Sequence, residues 1–311
     1  MGLTMAFAPG ARAQDKPLVD SVRPYLVFTP KKETWFVAAN RGKRMVLDIG
    51  RVDLEIRRDS TLAEAYRDAV GGSSPFPLGT AFTLRGPWGT EQVRAGAIDS
   101  WNGRIVLVLE GSAAMDSAAQ SRGDVIASAE RLPLTGPVQR RNAADGATAR
   151  VRSASVAVAS TCDRAADPGV APARITAIRD SLEGALRAAG LPIYERLAHR
   201  VTASSSQVVG CFGESRIALA VSLRVPGNEW VRERVVMVDR LGRVQEVVVD
   251  DFRFQVHDLL HAFDADGDGI DDITAVGRTM LAGGTTILRY DPAAKRKRLV
   301  RLAAGFSWEN R

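Results

Sequence analysis

The sequence predicts a mainly β protein with minor α content: a β-rich N-terminal part, one helix and a C-terminal β unit. Three observations lead to this fold class. Short runs of β-branched, aromatic and other apolar residues recur along the chain, separated by turns that contain Gly, Pro or Asn. Only one long stretch, 173–189, spaces its apolar residues as a helix does. An Asp- and Gly-rich loop at 264–272 leads directly into another β-branched run.

Residues 14–110 are predicted to form a β-rich N-terminal domain. Its clearest strand is 52–56, which alternates apolar and acidic side chains. A short helix is predicted at 60–70, because Ser60 can cap its start and Gly71 can end it. The other predicted strands are 25–28, 34–37, 45–49, 80–84, 91–98 and 104–109.

Residues 111–148 are predicted to be a linker or long loop, because Ala, Ser, Gly and Asn dominate and large apolar residues are scarce. The rest of the chain, 149–311, is predicted to combine a strand at 151–158, the helix at 173–189 and a β repeat unit. Gly190 marks the end of that helix. Its apolar stripe consists of Ile175, Ile178, Leu182 and Leu186.

Two segments of the C-terminal part resemble each other weakly, with a period of about 51 residues. We call them the first and the second copy. The first copy has Gly213 and Glu214 where the second has the acidic loop, so only one cation site is expected. Chance similarity between two β-rich stretches is the alternative. The matched stretches are 208–212 with 259–263, 217–221 with 273–276, and 235–239 with 286–291.

The acidic loop of the second copy has the spacing of a calcium site. Carboxylates occupy loop positions 1, 3, 5 and 9, and a glycine, Gly269, occupies position 6, where the chain must turn sharply. Calcium prefers oxygen ligands, and without an ion such crowded carboxylates would repel one another. A solvated acidic turn is the alternative. The predicted ligands are the side chains of Asp264, Asp266, Asp268 and Asp272 and the carbonyl of Ile270.

The residues after the loop distinguish between kinds of calcium loop. A helix–loop–helix EF-hand needs a Glu at position 12, where this chain has Ala275, and 273–277 is predicted to be a strand. A D-x-D-x-D-G-x-x-D loop that enters a strand at Ile273 resembles the integrin-type FG-GAP or VCBS repeat. This resemblance covers about 255–303. It implies a propeller-blade-like β unit carrying a calcium loop, with a role in binding a protein or a glycan.

The composition is that of a globular protein and argues against several functions. The 311 residues are 45% hydrophobic and 25% charged, and no apolar run approaches the length of a membrane span. The net charge is +6, but the basic residues are scattered, so no nucleic-acid partner is expected. Nucleotide-binding glycine motifs are absent. The basic run 295–298 is predicted to be a solvated hairpin turn, with contact to phosphate or an anionic surface as the alternative.

The N-terminus and the cysteines predict an exported protein, either periplasmic or secreted. Residues 1–13 are small and apolar and end in Ala-Arg-Ala, a pattern that signal peptidases cleave. We interpret them as the tail of a signal peptide whose start lies upstream, so that the mature protein begins near Gln14. A flexible terminus is the alternative. Two cysteines, Cys162 and Cys211, suit an oxidising compartment, and calcium is plentiful outside the cytoplasm.

Two histidines, His257 and His261, precede the loop at a spacing similar to that of the H-E-x-x-H zinc motif. Asp258 stands where that motif has its catalytic Glu, and His199 is the only other histidine. We therefore predict that both histidines lie on the strand or turn before the loop, where one of them hydrogen-bonds a ligand Asp. No catalytic residue is predicted.

The leading interpretation is a non-enzymatic exported protein in which calcium holds a β module in shape and whose partner is a protein or a glycan. The alternative is an exported hydrolase of unknown substrate, with calcium as a structural accessory. A cluster of catalytic side chains would favour the hydrolase, and the sequence contains no recognisable one.

We predict a disulfide between Cys162 and Cys211, which would close a loop of about 50 residues. Such a crosslink restricts the unfolded chain, and the chain-entropy model sets an upper guide of about 4 kcal/mol for its contribution to stability. Intact-mass analysis after alkylation without reduction should find no alkylated thiol. If both cysteines are alkylated under these conditions, they are separate buried thiols.

Overall fold

The computed structural model describes residues 26–28, 34–41, 44–52, 69–70, 72–101, 104–111, 126–132, 169–189, 201–225 and 229–309. The predicted signal peptide at 1–13, most of the predicted helix at 60–70, the predicted strand at 151–158 and Cys162 lie outside these residues. Cys211 is buried and disulfide-bonded, and its predicted pairing with Cys162 stays a prediction. No described helix is long and apolar enough to cross a membrane.

Strands dominate the described residues, which confirms the predicted mainly β fold with minor α content. The helix with defined bounds is α1 (Pro172–Ala188), and the described residues 69–70 and 72–73 are helical as well. The strands are β1 (Leu26–Phe28), β2 (Trp35–Arg41), β3 (Arg44–Val52), β4 (Ala81–Gly86), β5 (Gly89–Trp101), β6 (Arg104–Glu110), β7 (Ile126–Arg131), β8 (Thr202–Phe212), β9 (Ser215–Val225), β10 (Glu229–Asp239), β11 (Val244–Asp250), β12 (Val256–Phe263), β13 (Asp272–Arg278), β14 (Ala282–Asp291) and β15 (Arg298–Glu309).

The first sheet contains β1 to β7 in the order β1-β3-β2-β7-β4-β5-β6. A further pairing of β3 with β6 closes six of these strands into a ring, which leaves few unpaired strand edges. Three aromatic side chains, Phe36, Phe76 and Phe82, fill part of the interior with ring centroids 5.4 to 6.4 Å apart. This apolar interior gives the first sheet a core of its own.

Strand β7 departs from the predicted domain boundaries, because it lies within the stretch 111–148 that was predicted to be a linker. It pairs with both β2 and β4 and is therefore central to the first sheet. Its residues Ile126, Ala127 and Ala129 are fully buried. Ala and Ser have low intrinsic strand preference, so the composition favoured a loop, whereas two neighbouring strands override that preference. The first sheet thus extends beyond residue 110.

The second sheet contains β8 to β15 in the order β12-β13-β14-β15-β11-β10-β9-β8. It consists of two antiparallel four-stranded meanders, β8–β11 and β12–β15, joined by a parallel pairing of β11 with β15. The two outer strands also meet, since the N–H of Leu259 on β12 donates to Ser206 Oγ on β8 at 2.8 Å. The two meanders therefore share one sheet and one core.

The two similar sequence copies fall in equivalent strands of the two meanders. The first copy lies in β8, β9 and β10, and the second lies in β12, β13 and β14. The acidic loop connects β12 to β13, and Gly213 with Glu214 forms the equivalent connection from β8 to β9. Each meander has four strands, as a propeller blade has, although here both belong to a single sheet. The resemblance to FG-GAP or VCBS repeats stays a prediction.

Helix α1 covers one face of the second sheet. Its bounds lie within one residue of the predicted 173–189. The four residues of the predicted apolar stripe pack against buried side chains of β9 and β10, and Ile178 and Leu186 are the most deeply buried of them. Pro172 opens the helix, a position where its missing N–H costs no hydrogen bond.

The two sheets pack against each other through a compact apolar cluster. Val37 and Ile126 of the first sheet contact Phe263, Ile287 and Ala303 of the second. This contact places the connection between β12 and β13 beside the first sheet. A second apolar cluster continues the packing between the two sheets. It consists of Ala39, Val46, Val106, Val108 and Phe306.

His257 and His261 both lie on strand β12, so they do not form the helical zinc motif that their spacing resembles. His257 is buried, with Nδ1 at 3.0 Å from Glu233 Oε2 and Nε2 at 3.6 Å from Asp251 Oδ2. His261 is exposed. The partners of His257 are thus Glu233 and Asp251, rather than an aspartate of the loop.

His257 is held as a buried cation. Burial alone would lower the pKa of His257, but the neighbouring carboxylates of Asp251 and Glu233 outweigh it and raise the pKa to about 9. Burial likewise opposes the charge of Asp251, and the His257 side chain nevertheless keeps the pKa of Asp251 below its ordinary value. The histidine therefore joins β12 to β10 and to the turn that follows β11.

We predict that His257 makes the folded protein less stable as the pH rises. Below about pH 6.5, the histidine is protonated in both the folded and the unfolded chain, and its contribution is complete. From there up to about pH 9 only the folded chain keeps the proton, so the contribution is progressively lost. Urea unfolding at fixed calcium across this range should show the loss.

The variant His257→Gln is the matched comparison. It should remove this part of the pH dependence and should destabilise the protein at low pH by about 3 kcal/mol, because two buried carboxylates lose their cation. A difference between wild type and variant that stays constant from about pH 6 to about pH 9 would contradict the prediction.

Candidate metal centre

The acidic loop, residues 264–271, connects β12 to β13 at the end of the hairpin that faces the first sheet. The two strands pair as far as Phe263 and Asp272, which lie opposite each other. The ladder therefore holds both ends of the loop at a fixed separation. The eight residues between these ends, 264–271, include four aspartates and three small residues, and they must fold within this span.

Three carboxylates converge in the loop. One side-chain oxygen from each of Asp264, Asp266 and Asp268 lies within 4.8 Å of the other two. Asp264 and Asp266 are half-buried and Asp268 is exposed. A hard cation takes oxygen ligands at about 2.3–2.6 Å, so an ion among these three oxygens could touch all of them. The structure thus brings together the ligands predicted at loop positions 1, 3 and 5.

Backbone N–H groups preform this arrangement. Asp264 accepts hydrogen bonds from Gly267 at 2.7 Å and from Gly269 at 3.0 Å, one with each carboxylate oxygen. Asp266 and Asp268 each accept a bond from the N–H two residues further along, at 3.2 and 2.8 Å. Each carboxylate oxygen has a second lone pair, so these bonds leave acceptor capacity for a cation.

Two glycines allow the loop to turn this tightly. Gly267 has a φ of +86° and Gly269 a φ of +88°, a region that residues with a Cβ rarely adopt. The sequence predicts the sharp turn at Gly269, and the structure adds a second one at Gly267. These two reversals bring alternate carboxylates towards a common centre.

Asp272, the predicted ligand at position 9, lies deeper than the other three and is 2% exposed. Its two oxygens accept hydrogen bonds from the N–H groups of Ala265 at 3.1 Å and Tyr290 at 3.2 Å. Burial raises the pKa of Asp272 to about 8, and the charge of Asp266 adds to this rise. A cation in the loop would lower this pKa again. Asp272 is outside the convergent group of three, and its role as a ligand stays a prediction.

Ile270 and Asp271 connect the loop to the second sheet. The side chain of Ile270 packs against the core of that sheet, and the use of its carbonyl as a ligand stays a prediction. Asp271 has no predicted role, yet it is 1% exposed. Its Oδ2 accepts the N–H of Cys211 at 2.6 Å, and its own N–H donates to the Cys211 carbonyl at 2.9 Å. The loop is thereby tied to the end of β8 in the other meander.

The opposite side of the loop contacts the first sheet. Ala265 is fully buried in the apolar cluster between the sheets, and its carbonyl accepts a hydrogen bond from Ser128 Oγ on β7 at 2.7 Å. The guanidinium of Arg85 lies against Gly267, since a Cβ there would come within 3.2 Å of Arg85 Nη2. Arg85 is itself paired with Glu130 at 3.0 Å. The loop is therefore part of the contact between the sheets.

Sequence reasoning misses these contacts for a physical reason. Ser128 is 137 residues before Ala265, within a stretch whose composition favours a linker. The only local signal is Ala265 itself, a small apolar residue between two aspartates. An apolar side chain at that position is consistent with a loop that is buried on one side.

The charges of the loop favour a hard divalent cation. Among the described residues, the cation at ion-pair distance from the convergent carboxylates is Arg289, whose Nη1 is 3.7 Å from Asp266 Oδ2. One such contact leaves the three carboxylates with excess negative charge. Because the convergent group contains only carboxylates and no His or Cys, it suits oxygen-preferring ions such as calcium better than zinc.

Comparisons with known proteins give no relative: no family model, no curated protein and no solved structure matches this chain. The case for the site therefore rests on the loop's own residues and their geometry.

We predict that Asp266→Asn and Asp268→Asn each weaken calcium binding by about tenfold or more, because each removes a charged ligand. Asparagine keeps an oxygen that can accept the backbone hydrogen bond shaping the loop. Loss of binding would then report the lost charge rather than a misfolded loop. Isothermal titration of the chelated protein measures the affinity.

Glu214→Gln is the matched control, since Glu214 lies in the equivalent connection of the first meander. It should bind calcium as the wild type does. If both aspartate variants keep wild-type affinity, these carboxylates do not hold the ion.

Proposed function

We propose that this chain is an exported calcium-binding β protein in which the ion stabilises the loop between the two sheets. The observation that carries this proposal is the convergence of Asp264, Asp266 and Asp268 in a loop whose Ala265 is buried against the first sheet. Carboxylates this close repel one another, and a divalent cation removes that repulsion. The ion would thus act by holding a shape rather than by taking part in a reaction.

The position of the loop supports a structural role for the ion. Ala265 packs with Val37 and Ile126 and accepts a hydrogen bond from Ser128, so any movement of the loop disturbs the contact between the sheets. A cation that binds the folded loop and not the unfolded chain adds its binding free energy to folding. Calcium at extracellular concentration would keep such a site filled.

The proposed cellular role is binding of a protein or a glycan, and it rests on the resemblance of the loop to integrin-type repeats. Export, to the periplasm or the cell exterior, rests on the Ala-Arg-Ala pattern before Gln14 and on the paired cysteines. The hydrolase alternative gains no support from His257, because both of its ring nitrogens face carboxylates rather than a nucleophile.

We predict that calcium raises the thermal unfolding midpoint and that chelation lowers it. At a free calcium concentration of 100 times Kd, linkage gives a stabilisation of about 2.7 kcal/mol. Calorimetry with calcium and with a chelator measures the difference. The double variant Asp266→Asn/Asp268→Asn should unfold at the same temperature in both conditions, and Glu214→Gln should respond to calcium as the wild type does.

Hydrogen exchange identifies the strands that calcium stabilises. Calcium should slow exchange in the loop and also in β2 and β7, which contact it, and should leave β5 on the far side of the first sheet nearly unchanged. Calcium binding with no change in midpoint and no protection outside the loop would rule out the structural role.

A further inference from the structure

Two neighbouring turns present large apolar side chains to solvent at the end of the second sheet opposite the acidic loop. The first turn, 251–255, joins β11 to β12, and the second, 279–281, joins β13 to β14. Phe252 is 98% exposed, Leu281 is 72% exposed and Met280 is 47% exposed. Exposed apolar residues are usual when scattered, but grouped ones indicate a binding surface. We call Phe252, Met280 and Leu281 the apolar tips.

The tips sit on neighbouring turns that hydrogen bonds hold in place. The N–H of Gln255 in the first turn donates to the carbonyl of Arg278, the residue just before the second turn, at 2.8 Å. The Phe254 ring lies over β13, because a Cβ on Gly277 would come within 2.0 Å of it. Thr279 Oγ1 accepts the N–H groups of Leu281 at 3.2 Å and Ala282 at 2.9 Å. Such fixed turns lose little conformational freedom when they bind a partner.

Two ion pairs near the first turn expose their positive members more than their negative ones, whereas Asp258 and Arg278 beside the second turn are both partly exposed. The side chain of Asp251 is fully buried, whereas its partner Arg301 is 41% exposed. Asp48 is likewise 4% exposed and its partner Arg104 is 21% exposed. In both pairs near the first turn the carboxylate is covered and the guanidinium reaches the surface, so a partner approaching this turn meets positive charge.

Arg253 adds a further positive charge directly beside Phe252. Within the described residues, no carboxylate lies at ion-pair distance from its side chain, and its guanidinium lies 5.1 Å from the centre of the Phe254 ring. Desolvation, with the nearby charges of Arg301 and Arg104, holds the pKa of Arg253 below its ordinary value. Asp251 and Asp48 act in the opposite direction on this pKa, but both carboxylates are covered, so Arg253 presents its positive charge to an approaching anionic partner.

We propose that this end of the second sheet docks on the surface of an anionic lipid bilayer. The apolar tips enter the boundary between headgroups and acyl chains, while Arg253 and Arg301 contact the lipid phosphates. The protrusion of these side chains, with Phe252 98% exposed, favours a bilayer over a protein partner. A stable protein interface needs a complementary surface of about 800 Å² on each side, whereas a bilayer accepts protruding tips of any shape.

Flotation of the intact protein with lipid vesicles tests this docking. The wild type should bind vesicles of mixed phosphatidylcholine and phosphatidylglycerol and should bind pure phosphatidylcholine vesicles far more weakly. The double variant Phe252→Ala/Leu281→Ser should lose about tenfold or more in affinity for the mixed vesicles, because it removes most of the apolar area that enters the bilayer. Arg253→Gln should lose about fivefold.

Leu241→Ser is the matched control. Leu241 is 76% exposed on the turn between β10 and β11, at the opposite end of β11 from Phe252. This variant should bind the mixed vesicles as the wild type does, and circular dichroism should show that all variants are folded. A wild type that floats with neither vesicle, or a double variant that floats as well as the wild type, would overturn the docking.

A second measurement tests the insertion directly. In Phe252→Trp, lipids brominated in the acyl chains should quench the added fluorescence more than they quench the native tryptophans of the wild type. Vesicle binding without extra quenching would mean that another surface makes the contact, and the assignment of the tips would then be wrong.

Discussion

The buried contact between Ala265 and the first sheet is the constraint on which the rest of the structure depends. The Ala265 carbonyl accepts the Ser128 hydroxyl, and the Ala265 side chain fills the cluster that joins the two sheets. A loop held in this way cannot swing outward to separate its carboxylates. A cation bound among Asp264, Asp266 and Asp268 would relieve their repulsion in place, so the proposed ion and the contact between the sheets act on the same loop.

Carboxylates lie close together at both ends of β12, and the cations that the chain places beside them differ between the two ends. At the start of β12, the carboxylates of Glu233 and Asp251 are neutralised from within, because His257 lies between them and carries a proton. At its end, the nearest described cation is Arg289, at 3.7 Å from a single carboxylate. Burying an unpaired charge is costly. The chain thus supplies its own counter-ion at one end, and at the other end we propose that an ion from solution balances the carboxylates.

The sequence predicts those features that depend on local spacing and misses those that depend on distant contacts. The apolar stripe of α1 and the loop positions of Asp264, Asp266 and Asp268 follow from regular repeats, and the structure places both as predicted. Half of the residues of strand β7 are small, so only its two neighbouring strands reveal it. Asp271 carries the same side chain as the predicted loop ligands, but its partner, Cys211, lies 60 positions away.

The β12–β13 hairpin also explains why the two ends of this sheet can serve different purposes. Its loop end is fixed between the sheets by Ala265, whereas its other end lies beside the apolar tips and the arginines around Phe252. A register shift between Leu259 and His261 interrupts the regular ladder between these ends. The two ends of the hairpin are therefore not joined by one continuous regular ladder. Calcium would then act on the tips only through the stability of the whole sheet, and its presence would not be needed to position them.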